Sequence, residues 1–179
     1  MRSKTFLLSL VVLFSAITAQ ASGSQSLFPL YGGKDVKVYI AEVKDSTKEH
    51  EVGPSVLRTA IEDALKNRKS ITFHSVPTPE EADLLIEVNI QEFMWTDHDP
   101  VDMLMGAAAT AYDIATVEDY ARLQAEVAVT DLKSKKILWK ERVMGTITKK
   151  PMSRVESIPL VTASFAKAFV KQCFSKKRE

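Results

Sequence analysis

The run LLIEVNIQEFMW, residues 84–95, decides how this chain is read. Leu84, Ile86, Val88 and Ile90 alternate with Leu85, Glu87, Asn89 and Gln91. A period of two puts the first set on one face of a strand and the second on the other. One face is apolar and one mostly polar, so the strand sits in a sheet covered on one side only. The apolar character carries on through Phe93, Met94 and Trp95.

Working outward, the same alternation recurs. In DVKVYIAEV, residues 35–43, Val36, Val38 and Ile40 share a face. SITFHSV, residues 70–76, is a shorter strand, followed by the proline-punctuated turn PTPEEAD. Further on, Leu123, Ala125, Val127 and Val129 alternate with Arg122, Gln124, Glu126 and Ala128. The polar turn DLKSKK then leads to Ile137, Trp139, Val143 and Ile147, which predicts a hairpin.

Two segments change period. After Gly53-Pro54, Leu57, Ile61, Ala64 and Leu65 recur at helical spacing, with proline suited to the first turn. The helix is expected to end near Arg68. Near the C-terminus, Ser153-Arg154-Val155-Glu156 fits a capping box, and Ile158, Val161, Phe165, Ala168 and Phe169 make a stripe. Pro159 fits a helix interior poorly, so a start at Ser157 is the alternative. The order is β-α-β-β-insert-β-β-α. It predicts an α+β two-layer sandwich, a mixed sheet with two main helices on one face.

With 179 residues, 45% of them hydrophobic, the chain is sized for one domain. Its start reads as a secretory signal over residues 1–21. Arg2 and Lys4 precede the apolar run Phe6 to Ile17, and Ala19-Gln20-Ala21 offers a cleavage pattern. An uncleaved anchor is the alternative, although the apolar run is shorter than the ~20 residues of a span. Cleavage removes two cations and no acid, moving the formal net charge from +1 to −1. A location in the periplasm, in association with the outer membrane or free of it, is expected. Residues 22–34 read as a flexible leader, 35–175 as the domain and 176–179 as a polar tail. The near-neutral charge gives no basic surface for nucleic acid. The single cysteine, Cys173, falls near the apolar stripe of the last helix and is expected to be buried rather than bridged.

Motifs for catalysis are absent from the sequence. His50, His74 and His98 form no HExxH or HxH spacing, and the glycines are too scattered to cradle phosphate. Asp97, His98, Asp99 and Asp102 could hold a divalent ion, but Asp99 before Pro100 reads better as a helix N-cap. No cofactor and no metal are expected. Trp95 and Trp139 are read as core or sheet edge before ligand groove.

The insert over 99–120 stands out. Met103 to Thr116 carries one acid, Asp113, and no glutamate, lysine or arginine. As a helix its fourteen residues reach roughly 21 Å at 1.5 Å each, short of a ~30 Å hydrocarbon core. Leu104, Ala108, Ala111, Tyr112 and Ala115 would share a face. Three readings stay open: extra core, a surface for a partner protein, and contact with lipid. The partner reading rests on adaptable methionine and alanine in a protruding segment, with Met103, Leu104, Met105, Tyr112 and Ile114 as anchors.

Three segments resemble a family. They are DVKVYIAEVKDSTKEHEVGPSVLRTAIEDALKNRKSITF, PEEADLLIEVNIQEF and VAVTDLKSKKILWKERVMGT. They are similar to the lipopolysaccharide-assembly lipoproteins, the plug partners of the outer-membrane lipopolysaccharide translocon, with related architecture in curli-secretion lipoproteins. The resemblance implies a non-catalytic two-layer domain working beside an outer-membrane or envelope protein complex. This chain lacks the lipid-bearing cysteine of that family, and the insert has no counterpart there. A carrier binding a lipid, a glycolipid or another amphiphile between sheet and insert is the alternative.

Overall fold

The structure, a computed structural model, describes residues 25–96, 120–148 and 153–176. In chain order it contains α1 (Phe28–Tyr31), β1 (Asp35–Ile40), β2 (Lys44–Asp45), α2 (Pro54–Lys66), β3 (Thr72–Ser75), a 3-10 turn (Pro79–Glu81), β4 (Leu84–Trp95), β5 (Ala121–Asp131), β6 (Lys136–Ile147) and α3 (Arg154–Phe174). The sheet runs β3-β1-β4-β5-β6. β1 is parallel to β3 and β4, while β4-β5-β6 is an antiparallel meander. The α+β two-layer sandwich is as expected, with α2 and α3 covering one face of a mixed sheet.

That face is set by the alternation. Val36, Val38, Ile40, Leu84, Ile86, Val88, Ile90, Leu123, Ala125, Val127 and Val129 are all buried. A bulge between Ile90 and Glu92 then inverts the phase of β4. Beyond it Phe93 and Trp95, rather than Glu92 and Met94, pack against the core. A second register shift, between Val129 and Thr130, turns Ile137 out to solvent at 61% exposure. Ile137 therefore leaves the apolar face on which simple alternation placed it.

The polar loop after β1 hides a further strand. β2 pairs with β4 at Asn89 and Ile90, just beyond where β1 pairs at Leu84 to Ile86. β1 and β2 are one interrupted strand, with Val43 buried at the break. Asp83 fastens the junction of β1 and β4. Its carboxylate accepts the Lys37 amide at 3.1 Å, and this bond holds its pKa below the usual range.

α2 starts with Pro54 at its first position and buries Leu57, Ile61 and Leu65 at four-residue spacing. α3 starts at Arg154, not Ser157. Ser153 is its N-cap, and its hydroxyl accepts the Glu156 amide at 3.2 Å. Pro159 sits inside the helix. It is tolerated because it lies within the first two turns and on an exposed side, where water can reach the carbonyl its ring leaves unbonded.

The stretch expected as a loose leader is instead tied down from Ser26. Leu27 is 4% exposed and its amide donates to the Cys173 carbonyl at 2.6 Å. Ser26 Oγ donates to the Ser175 carbonyl at 2.6 Å. These bonds satisfy carbonyls that the C-terminus of α3 would otherwise leave open. Cys173 is buried, and burial pushes its thiol pKa well up. Tyr31 donates to Asp131 at 3.4 Å.

α3 crosses the sheet from edge to edge. Near its middle Phe165 lies on Gly145 of β6, and Ser164 Oγ accepts the Thr146 amide at 3.2 Å. From there a chain of rings leads to the far edge. Trp139 meets Phe169 at 5.7 Å, Phe169 meets Phe174 at 6.0 Å, and Phe174 meets Phe73 of β3 at 4.9 Å.

Two measurements check this packing. A Cβ at Gly145 would lie 2.3 Å from the Phe165 nitrogen and 2.5 Å from its Cα, backbone atoms that cannot swing away. Gly145→Ala should cost about 3 kcal/mol or more in urea unfolding. Gly53→Ala, whose Cβ would meet only Val56 Cγ2 at 3.6 Å, should stay within about 0.5 kcal/mol. Tyr31 tests the N-terminal anchor. Burial first, then the Asp131 charge, raise its pKa from 10.0 to about 12. A raised folded-state pKa stabilises fully below pH 10 and loses that contribution as pH climbs toward 12. Tyr31→Phe should flatten this alkaline slope and remove the late-titrating tyrosinate from the ultraviolet difference spectrum.

Candidate functional site

β4 and β5 are the strands that lead into and out of the insert. At their end the backbone stays paired. The Thr96 amide donates to the Tyr120 carbonyl at 3.0 Å, and the Tyr120 amide to the Ile147 carbonyl at 2.8 Å. Tyr120 is 8% exposed. The insert is thus flanked by two adjacent strands, β4 bonded to β5 and β5 in turn to β6. Its proposed anchors Met103, Leu104, Met105, Tyr112 and Ile114 lie outside the described residues, as do Asp97, His98, Asp99 and Asp102.

Beside this base is a charged cluster drawn from three elements. Arg154, the first residue of α3, has its guanidinium 6.0 Å from the Trp95 ring centre. Its Nε donates to Glu51 at 2.7 Å, its Nη2 donates to the other Glu51 oxygen, and Nη2 reaches Glu49 at 3.2 Å. Burial, followed by the neighbouring Glu49, raises the Glu51 pKa. Hydrogen bonding to Glu51, followed by the Arg154 charge, lowers that of Glu49. One cation therefore holds two mutually repelling carboxylates and ties the 46–53 loop to α3. The indole N–H of Trp95 is buried with no partner among the described residues. Trp139 is core, 2% exposed.

A hollow of about 390 Å³ lies beside the Arg154 cluster, lined by residues that include Thr47, Glu49, Glu51, Glu92 and Phe93, and further concavities lie on each side of the sheet. On the open sheet face a hollow of about 280 Å³ is lined by polar groups including Glu42, Lys44, Glu87, Asn89, Glu126 and Lys140. On the helical side a groove of about 670 Å³ runs between α2 and α3. No cluster of histidine, cysteine and carboxylates with metal-ligand spacing occurs among the described residues. No helix among them is long and apolar enough to cross a membrane.

Sequence reasoning located the insert but missed both the Arg154 cluster and the groove. The acids of KEHEV, residues 48–52, were the only visible hint of the cluster. Ala60 and Ala64 at helical spacing with Ala163 on the other helix were the hint of the groove.

These features define a class: a two-layer scaffold whose helices cover one face of the sheet and whose β4–β5 connection carries an insert. No protein-family model matches the chain, and no curated protein does. Solved structures do match. PelC from Paraburkholderia phytofirmans, solved as a dodecamer, superposes with a TM-score of 0.52 at 10% identity, over 87% of this chain and 96% of that one. XCC0632 from Xanthomonas campestris, a DUF330 protein, superposes with a TM-score of 0.48 at 8% identity, over 84% and 86%. The lipoprotein GNA1162 from Neisseria meningitidis superposes with a TM-score of 0.39 at 10% identity, over 67% and 88%. The chain shares its fold with PelC. The likeness bears on the fold that the lipopolysaccharide-assembly resemblance implies, and not on that family itself.

The Arg154 cluster is testable by pH. In Arg154→Ala, Glu49 and Glu51 face each other without their cation, and acid relieves them by protonation. The loss in urea midpoint relative to the parent chain should be larger at pH 7 than at pH 4. Equal losses at both values would mean that the ion pairs do not tie the loop to α3.

Proposed function

We propose that this chain is a non-enzymatic, exported subunit of an outer-membrane transport or assembly machine, and that it works by protein contact. The observation that carries this reading is the fold shared with PelC, a protein solved as a dodecamer, over 96% of that chain. The clamped base of the insert supports it. A segment held by β4, β5 and β6 at its root can be offered to a partner without loosening the core. Met103, Leu104, Met105, Tyr112 and Ile114 are its anchors. Burying them removes apolar area from water at about 25 cal/mol per Å², before the costs of association. In its finer form the partner is the lipopolysaccharide translocon, met from the periplasmic side.

Affinity purification from cross-linked envelopes tests the reading. The parent chain is expected to bring down an outer-membrane complex. Met105→Asp with Tyr112→Asp should abolish that while moving the thermal midpoint by less than about 2 °C. A large fall in the midpoint would assign the insert to the core. Native mass spectra showing a bound amphiphile and no protein partner would favour a carrier.

A further inference from the structure

The groove between α2 and α3 belongs to neither the insert nor the Arg154 cluster. Ser55, Val56 and Pro159, from the first two turns of α2 and α3, line the groove, and Arg68, just past the end of α2, bonds the Phe174 carbonyl at the end of α3 at 3.1 Å. The two helices therefore run parallel, with both C-termini at the same end. The walls are small or apolar: Val56, Ala60, Ala64, Pro159, Ala163 and Val170. Val56 is 41% exposed. From Val56 to Asn67 the groove is roughly 17 Å long at 1.5 Å per residue.

Its charge is one-sided. Asp63 is the one acid in the lining, against Arg68, Lys167 and Lys171. Arg68 is occupied by the end of α3, through Phe174 and Ser175. Lys167 and Lys171 are exposed and carry no ion pair among the described residues.

We infer that this groove receives an amphipathic helix of a partner protein, laid antiparallel to α2 and α3, with acidic residues in its first turn. Alanine walls let a third helix approach to ordinary helix-packing distance. The antiparallel direction brings the partner's positive N-terminal dipole to the negative C-terminal ends of α2 and α3. Acids in its first turn, favoured there by its own dipole, would meet Lys167 and Lys171. A parallel helix would set like dipole ends together, and its acid-favouring first turn would lie at the other end of the groove from both lysines. The inference shares with the proposed function only that the partner is a protein.

Photo-crosslinking of the full chain in its own envelope tests this. Benzoylphenylalanine is placed at Val56 or, separately, at Asn67, and adducts are sequenced by mass spectrometry. Both positions should mark one partner segment about ten residues long, with the Asn67 adduct toward its N-terminus and beside acidic residues. Lys167→Glu with Lys171→Glu should cut adduct yield at least tenfold at an unchanged thermal midpoint, while arginine at both positions keeps it. A lipid adduct, adducts to a second copy of this chain, the reverse polarity, a segment without acids, or no adduct would each overturn the inference. In the Met105→Asp/Tyr112→Asp background the groove adduct should persist, so failure of the insert reading and failure of this one are seen separately.

Discussion

The closeness of α3 to β6 at Gly145 is the constraint on which the rest depends. No side chain larger than hydrogen fits between the Phe165 backbone and that strand. The absence of a Cβ lets the helix lie directly on the sheet. It also lets Ser164 satisfy the Thr146 amide on an edge strand that would otherwise expose it. With the middle of α3 fixed there, its second half reaches across the strands. Trp139, Phe169, Phe174 and Phe73 link one edge of the sheet to the other. The end of α3 then meets Ser26, Leu27 and Arg68, which bond its last carbonyls. Both ends of the described chain are thus tied to one helix, whose middle is held against the sheet at one glycine.

Much of this architecture was legible in the residues. The period-two faces of β1, β4 and β5 and the four-residue spacing in α2 each report a single burial boundary, and one boundary per element suffices for a two-layer sandwich. What escaped was whatever depends on a neighbour. The bulge at Ile90/Glu92 and the shift at Val129/Thr130 are relations between two strands, so Ile137 looked like core until its partner strand was seen. β2 is two residues long and mixes lysine with aspartate. Its pairing with Asn89 and Ile90 comes from following β1, with no signal of its own. Pro159 was read by its general cost, and the exposed early turn of α3 lowers that cost.

The candidate surfaces divide in the same way. The insert was visible because a fourteen-residue stretch with a single charge is unusual in a chain with 26% charged residues. The Arg154 cluster was invisible because it joins three distant segments: Glu49 and Glu51 in a loop, Trp95 at a strand end, and Arg154 at a helix start about a hundred positions past the glutamates. Only the fold brings them together, around the point where the insert departs. A buried indole N–H and a carboxylate with a raised pKa lie together there, at the end of β4.

A sheet covered on one side has an unequal division of labour. The helical side must be apolar within and can be grooved without, because two parallel helices that bury one stripe each leave a valley between their outer faces. The open face carries ladders of charge, Arg122 with Glu92 at 2.8 Å and Lys140 with Glu126 at 3.0 Å, which keep it wetted. That face still offers Ile137 and Met144 to solvent on β6, so apolar area is available there as well as in the helical valley. The proposed contact of the insert would lie at the far end of β4 and β5. The valley and the insert lie on different elements, so each can be engaged without the other. Covering only one face of the sheet thus leaves the outer sides of the helices and the open side of the strands as two separate surfaces.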